Sequence, residues 1–138
     1  MMDMAVEYAQ GTVPVTILTL QGELDASNFE TLLSTAKMLY HAGTRRLLLD
    51  MNQLSFMSSA GIVALHNIIL LMRGAGLSDP NSGWEAFHNI KRDLDSGKQP
   101  NVKILDPQPK VMLTLQKSGM DRFCDIYTDL QSALNSFA

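Results

Sequence analysis

Cysteine is nearly missing from this chain: Cys124 stands alone among 138 residues. A single thiol forbids an internal disulfide and a thiolate metal cluster. Its apolar-flanked setting reads as an inert core residue in a reducing cytoplasm. Long apolar runs are missing too. The longest, Gly61 to Met72, is broken by His66 and Asn67 and falls short of the ~20 residues a membrane span needs. The opening MMDMAVEY carries acids where a secretory signal needs bases, so no targeting segment is expected. Basic charge is sparse: 11 Lys and Arg stand against 14 Asp and Glu, and Arg45-Arg46 and Lys91-Arg92 are isolated pairs. A nucleic-acid footprint would need a stripe. Gly-rich phosphate loops are absent, and the surroundings of Ser59 are not G-x-S-x-G. His41, His66 and His88 are scattered without metal-ligand spacing. Nothing in this inventory asks for an enzyme, a metal or a cofactor.

What is present describes one globular domain, residues 1–138, with 46% hydrophobic and 18% charged residues. The stretch Arg46 to Met72 organises it. Leu47-Leu48-Leu49 reads as a strand covered on both faces. Asp50 to Met57 reads as a turn, and from Gly61 the apolar residues Ile62, Leu65, Ile69 and Met72 recur at helical spacing. Before it come strands at Met4 to Tyr8 and Val13 to Leu20. A capping box of Ser27 and Glu30 opens a helix that Gly43 stops. After it come a strand at Val102 to Leu105, a helix from Pro109 to Ser118 ended by Gly119, and a strand at Cys124 to Tyr127. Thr128 with Gln131 caps a last helix carrying Leu130, Leu134 and Phe137. Alternating strands and helices imply an α/β fold.

Two features fall outside that pattern. Residues 74–100 are punctuated by Gly74, Gly76, Pro80, Gly83, Gly97 and Pro100 and read as an insertion, with a short amphipathic helix through Trp84, Phe87, Ile90 and Leu94. In the helix after Ser58, Val63 and Leu70 lie outside the apolar arc, beside His66 and Asn67. That outer side is either a docking face or is covered, the insertion being one candidate cover.

Ser58 and Ser59 stand where strand gives way to helix. Ser58 is placed to cap the helix with its hydroxyl, and Met57 with Ile62 to form a hydrophobic staple. Ser59 is then the first helical residue, beside free N–H donors that tolerate a phosphate. Capping alone accounts for both serines equally well. A Ser59 nucleophile would need a base, and His66 points along the same helix.

Three segments, VTILTLQGELDASN at 15–28, RRLLLDMNQLSFMSSAGIVAL at 45–65 and VKILDPQPKVMLTLQKSGMDRFCDIY at 102–127, resemble a STAS domain, and more closely a bacterial anti-sigma factor antagonist. The resemblance implies a mixed sheet of four to five strands with about four helices mainly on one face. The family motif runs Phe-Met-Asp-Ser-Ser-Gly, its first serine phosphorylated. In register, Ser58 replaces the aspartate, Ser59 matches the acceptor, Ala60 replaces the second serine and Gly61 matches the glycine. With the aspartate gone, Ser58 is a rival acceptor. Asp25 matches a loop acid of the family that contributes to partner contact. The implied contact set is Asp25, Ser27, Ser58, Ser59, Ala60, Gly61, Val63, Asn67 and Leu70. The implied partners are an anti-sigma factor that is also a serine kinase of histidine-kinase-like ATPase type, and a phosphoserine phosphatase. An unphosphorylated STAS adaptor, such as a stressosome-like scaffold or a lipid-transport accessory subunit, is the alternative.

Overall fold

A computed structural model describes residues 2–73 and 99–137 of the chain. The helix expected near Trp84, and with it the expected cover over Val63 and Leu70, lies outside the described residues. Strands β1 (Met2–Gln10) and β2 (Pro14–Leu24) form an antiparallel hairpin. Then β3 (Leu47–Met57), β4 (Val102–Leu105) and β5 (Ile126–Tyr127) add in parallel, giving one sheet in the order β1-β2-β3-β4-β5. Parallel neighbours need crossover connections. Here α1 (Phe29–His41) joins β2 to β3, α2 (Ser59–Met72) follows β3, and α3 (Pro109–Ser118) lies between β4 and β5. A 3-10 turn at Met120–Arg122 precedes β5, and α4 (Leu130–Ser136) follows it.

Both faces of the sheet are covered over β2, β3 and β4, and the strands show it. Leu18, Leu20, Leu47 and Leu49 face a main core shared with α1, α2 and α3. The alternate residues Val15, Ile17 and Leu48 face a second, smaller core under α4, where Ala133, Leu134 and Phe137 close it. Strands buried on both sides lose polar alternation, which is why Leu47-Leu48-Leu49 reads as an unbroken apolar run. Three helices therefore lie on one face and α4 alone on the other.

The second core is fastened at two points. Gly11, in the turn of the hairpin, sits so close to the backbone of Leu134 that a Cβ there would overlap its carbonyl. Lys103, only 6% exposed, donates to the Ser136 carbonyl (2.9 Å) and hydroxyl (3.1 Å) at the end of α4. A cation at a helix C-terminus is favourable, and the Lys103 ammonium also lies 4.8 Å from the centre of the Phe137 ring, a cation–π contact.

Several boundaries differ from the sequence reading, each for a local reason. The segment Asp50 to Met57 is not a turn but the second half of β3, paired to β2 as far as Leu24↔Met57. Two irregularities, at Thr19/Gln21 and Gly22/Glu23, each give β3 one extra residue. They reset the alternation, so Met51, Leu54 and Met57 are buried at a spacing of three. Gly22 lies between them at φ 109, a conformation that glycine adopts without strain. Ser27 does not cap α1. The N-cap is Asn28, without a side-chain cap bond, while Ser27 bonds to Asp25 instead. At α4 the cap is Asp129, whose carboxylate accepts from the Ser132 N–H at 2.8 Å, in place of Thr128. β5 starts at Ile126, and Leu130 is exposed where a core contact was expected. Cys124 is fully buried and in no disulfide, as its apolar neighbours imply.

Candidate functional site

The end of the sheet where β2 and β3 finish carries the two serines. Met57 is the last residue of β3, and the Ser58 N–H then donates to the Leu24 carbonyl (2.9 Å), pinning the β3–α2 junction to the end of β2. Ser58 is extended, at φ −88 and ψ 177, and α2 begins at Ser59. The Ser58 carbonyl takes up the Gly61 N–H at 3.0 Å, so the first turn is tight. Gly61 is closely packed there: an added Cβ would meet Met57 Cγ at 2.6 Å and two Leu24 carbons at 3.1 Å, so those side chains would have to shift. Met57 and Ile62 both join the main core around it.

The two hydroxyls have opposite surroundings. Ser58 stands at the N-cap position, but its Oγ makes no cap bond; it is buried and has no hydrogen-bond partner among the described residues. Ser59 is exposed, and its hydroxyl makes no side-chain hydrogen bond among the described residues. Its backbone N–H lies in the first turn, where donors lack intrahelical acceptors. No Asp, Glu, Lys or Arg occurs between Ser59 and Met72, so nothing on α2 itself would neutralise a charge placed there.

Beside this point runs the β2–α1 loop. The Asp25 carboxylate accepts from the Ser27 hydroxyl (2.5 Å) and from the Ser27 N–H (2.9 Å). Those two bonds, the hydroxyl's first, hold its pKa below the ordinary 3.8. Asn28 closes the loop from the other side, its Oδ1 accepting from the Asp25 N–H (3.0 Å) and its Nδ2 donating to the Glu23 carbonyl (2.7 Å). The loop thus has a fixed shape with Asp25 ionised and Ser27 exposed.

Of the residues expected at a contact surface, Asp25, Ser27, Ser58, Ser59 and Ala60 come together here, with Gly61 buried beneath them and Val63 half-buried one turn along. Asn67 and Leu70 do not belong to that surface: Asn67 is fully buried and Leu70 is 6% exposed. The reason is the place of α2 in its layer, with α1 and α3 on either side and β3 and β4 beneath. His66 is fully buried as well, against the Phe123 ring. The open part of α2 is its first turn. His41 ends α1 at the opposite end of that helix from the loop, so it offers Ser59 no base.

Two residues at this end were not singled out by sequence. Asn28 is the clasp of the loop, and its signal was an amide at a loop–helix boundary. Phe56 is 43% exposed two residues before Ser58, an aromatic near the end of a strand whose broken alternation hides it in the sequence.

No curated protein matches this sequence. The fold is similar to the crystal structure of an anti-sigma factor antagonist from Mycobacterium paratuberculosis, with a TM-score of 0.69 and 17% identity over 99% of this chain and 93% of that one. It is similar to SpoIIAA, an anti-sigma factor antagonist, in its unphosphorylated form (TM-score 0.60, 19% identity, 95% of this chain and 93% of that one). SpoIIAA of Bacillus in the phosphorylated form aligns equally well (TM-score 0.58, 16% identity, 95% and 96%). These likenesses establish a shared α/β arrangement of five mixed strands and its helices. The model of the STAS domain matches residues 7–78, more than half of the chain and all of β2, α1, β3 and α2, and the chain belongs to the STAS domain family.

Proposed function

We propose that this chain is an anti-sigma factor antagonist: a cytoplasmic, non-catalytic binding module that sequesters an anti-sigma factor and is switched by phosphorylation at Ser59. The observation that carries the reading is the contrast between the two serines. Ser59 is exposed at the head of α2 with an unengaged hydroxyl, while the Ser58 hydroxyl is buried. A kinase approaching the junction meets Ser59, which argues against Ser58 as the acceptor.

The docking surface is the first turn of α2 with the β2–α1 loop, formed by Asp25, Ser27, Ser59, Ala60 and Val63, with Phe56 added as an exposed aromatic of the kind that anchors interfaces. Ser58 and Gly61 shape the turn from below; Asn67 and Leu70 support it without touching a partner. The partner is an anti-sigma factor that is also a serine kinase of the histidine-kinase-like ATPase type. Phosphorylation brings about −1.5 to −2 charges to a helix that holds no Lys or Arg, next to a loop that carries the ionised Asp25. The helix N-terminus accommodates that charge without unfolding. The proposed switch is electrostatic: one fold, two surface charges, in keeping with the likeness of this fold to SpoIIAA in both its unphosphorylated and its phosphorylated form. Desolvation and repulsion of roughly 3–4 kcal/mol would lower affinity by hundreds-fold. A phosphoserine phosphatase resets it.

Incubation with the cognate anti-sigma kinase and ATP tests this. One phosphoryl group is expected, absent in Ser59→Ala, and Ser59→Asp should bind the partner far more weakly than the unmodified chain. A stable stoichiometric complex that never becomes phosphorylated would instead mark the chain as a scaffold adaptor.

A further inference from the structure

We propose that two copies of this chain pair edge to edge through β1, antiparallel and centred on Val6, to form one continuous sheet. Among the described residues, no strand bonds to the outer edge of β1, which is nine residues long. Its ladder with β2 is regular from Met2↔Gly22 to Gln10↔Pro14. It has no bulge, and no proline or lysine occurs along it. Bulges, prolines and lysines are among the devices that keep an edge from pairing; charge on this edge is confined to Asp3 and Glu7.

The direction of the backbone groups follows from the hairpin. The Gly11 N–H donates to the Val13 carbonyl at 3.1 Å, so the odd residues of β1 are the ones hydrogen-bonded to β2. The N–H and C=O groups of Met2, Met4, Val6, Tyr8 and Gln10 point outward. Their side chains share the face of the main helix layer, where Met2 and Met4 touch the core. Val6 and Tyr8 continue that row into solvent, 39% and 73% exposed.

Two such edges bond where even residues meet even residues, so competing registers differ by steps of two. Centred on Val6, the strands overlap along their full length. Met4 lies opposite Tyr8 of the second copy, Val6 opposite Val6 of the second copy, and an apolar row crosses the seam. Asp3 then faces Ala9 and Glu7 faces Ala5, so each acid meets an alanine. A slide of two residues one way sets Asp3 against Glu7; the other way sets Glu7 against Glu7. Like charges directly opposite destabilise a pair, so the two acids select the centred register. The Ser59 ends remain open in both copies, because the seam runs along the sheet edge.

Sedimentation velocity of the full chain across concentration tests this. A concentration-dependent dimer is expected. Val6→Lys places two ammonium groups opposite each other on the axis and should leave monomer only. Ala5→Lys, at an exposed position, sets a lysine opposite Glu7 of the second copy twice over and should tighten the dimer about fivefold. A monomer at every concentration overturns the proposal, and so does a dimer that neither substitution changes. If Val6→Lys does not fold by circular dichroism, Ala5→Lys still decides: unchanged or weaker association rejects the register.

Discussion

At the scale of single residues, Ser58 is the most instructive position. An N-cap serine usually contributes a side-chain bond worth about 1 kcal/mol. Here the hydroxyl is buried without a partner, and an unsatisfied buried hydroxyl costs about 1–3 kcal/mol. Ser58→Ala should therefore leave stability unchanged or raise it, as denaturant melts will show; a loss of about 1 kcal/mol would mean that the hydroxyl caps after all. The same variant should accept phosphate as well as the unmodified chain. Asp25 and Asp129 make a second residue-level case. Ser27 holds the first below the ordinary 3.8 through its hydroxyl and N–H, and Ser132 holds the second there through its N–H and then its hydroxyl. A depressed folded-state pKa means the ionised group favours the folded form. That contribution is complete above 3.8 and vanishes as pH falls through the folded value. Carbon-detected NMR titration should give both carboxylates midpoints below 3.8, and Ser27→Ala should move the Asp25 midpoint upward.

At the scale of elements, the junction from β3 to α2 depends on close approach. Gly61 lies against Met57 and Leu24, so Gly61→Ala must displace packed side chains, at about 1–3 kcal/mol for overpacking. The expected result is a lower melting temperature with a disturbed first turn of α2; a neutral substitution would show that Met57 yields freely. On the opposite face, Lys103 ties β4 to the end of α4. Lys103→Met should loosen α4, seen as faster amide exchange at residues 133 and 134 than in the unmodified chain.

Elements also show what a sequence can carry. β4 and α3 were legible to the residue because Pro109 and Gly119 mark the helix ends. β3 was half legible: its first residues are uniformly apolar, while the bulged half breaks the period of two that identifies a strand. The caps of α1 and α4 were misplaced because several Ser, Thr, Asp and Asn residues compete at each boundary. Only three-dimensional geometry decides which side chain reaches a free N–H. The burial of Asn67 and Leu70 was invisible for a different reason, since a helical wheel records the arc of one helix and not the neighbours on either side.

At the scale of the molecule, the arrangement separates tasks. A sheet covered on both faces holds the ends of β2 and β3 rigidly in register. That register sets the Asp25 loop beside the head of α2, where the proposed phosphorylation of Ser59 would add its charge. The family membership was legible from the segment around Ser59, and the departure at Ser58 was legible with it. Which serine faces water was not, because both lie at one junction and only the path of β3 turns one inward. The most direct measurement is intact mass with fragment mapping on the chain purified from its native cell, alongside Ser59→Ala. A single phosphoryl group on Ser59, missing from the variant, is the expected result. Phosphate retained in Ser59→Ala, or mapped to Ser58, would contradict the account.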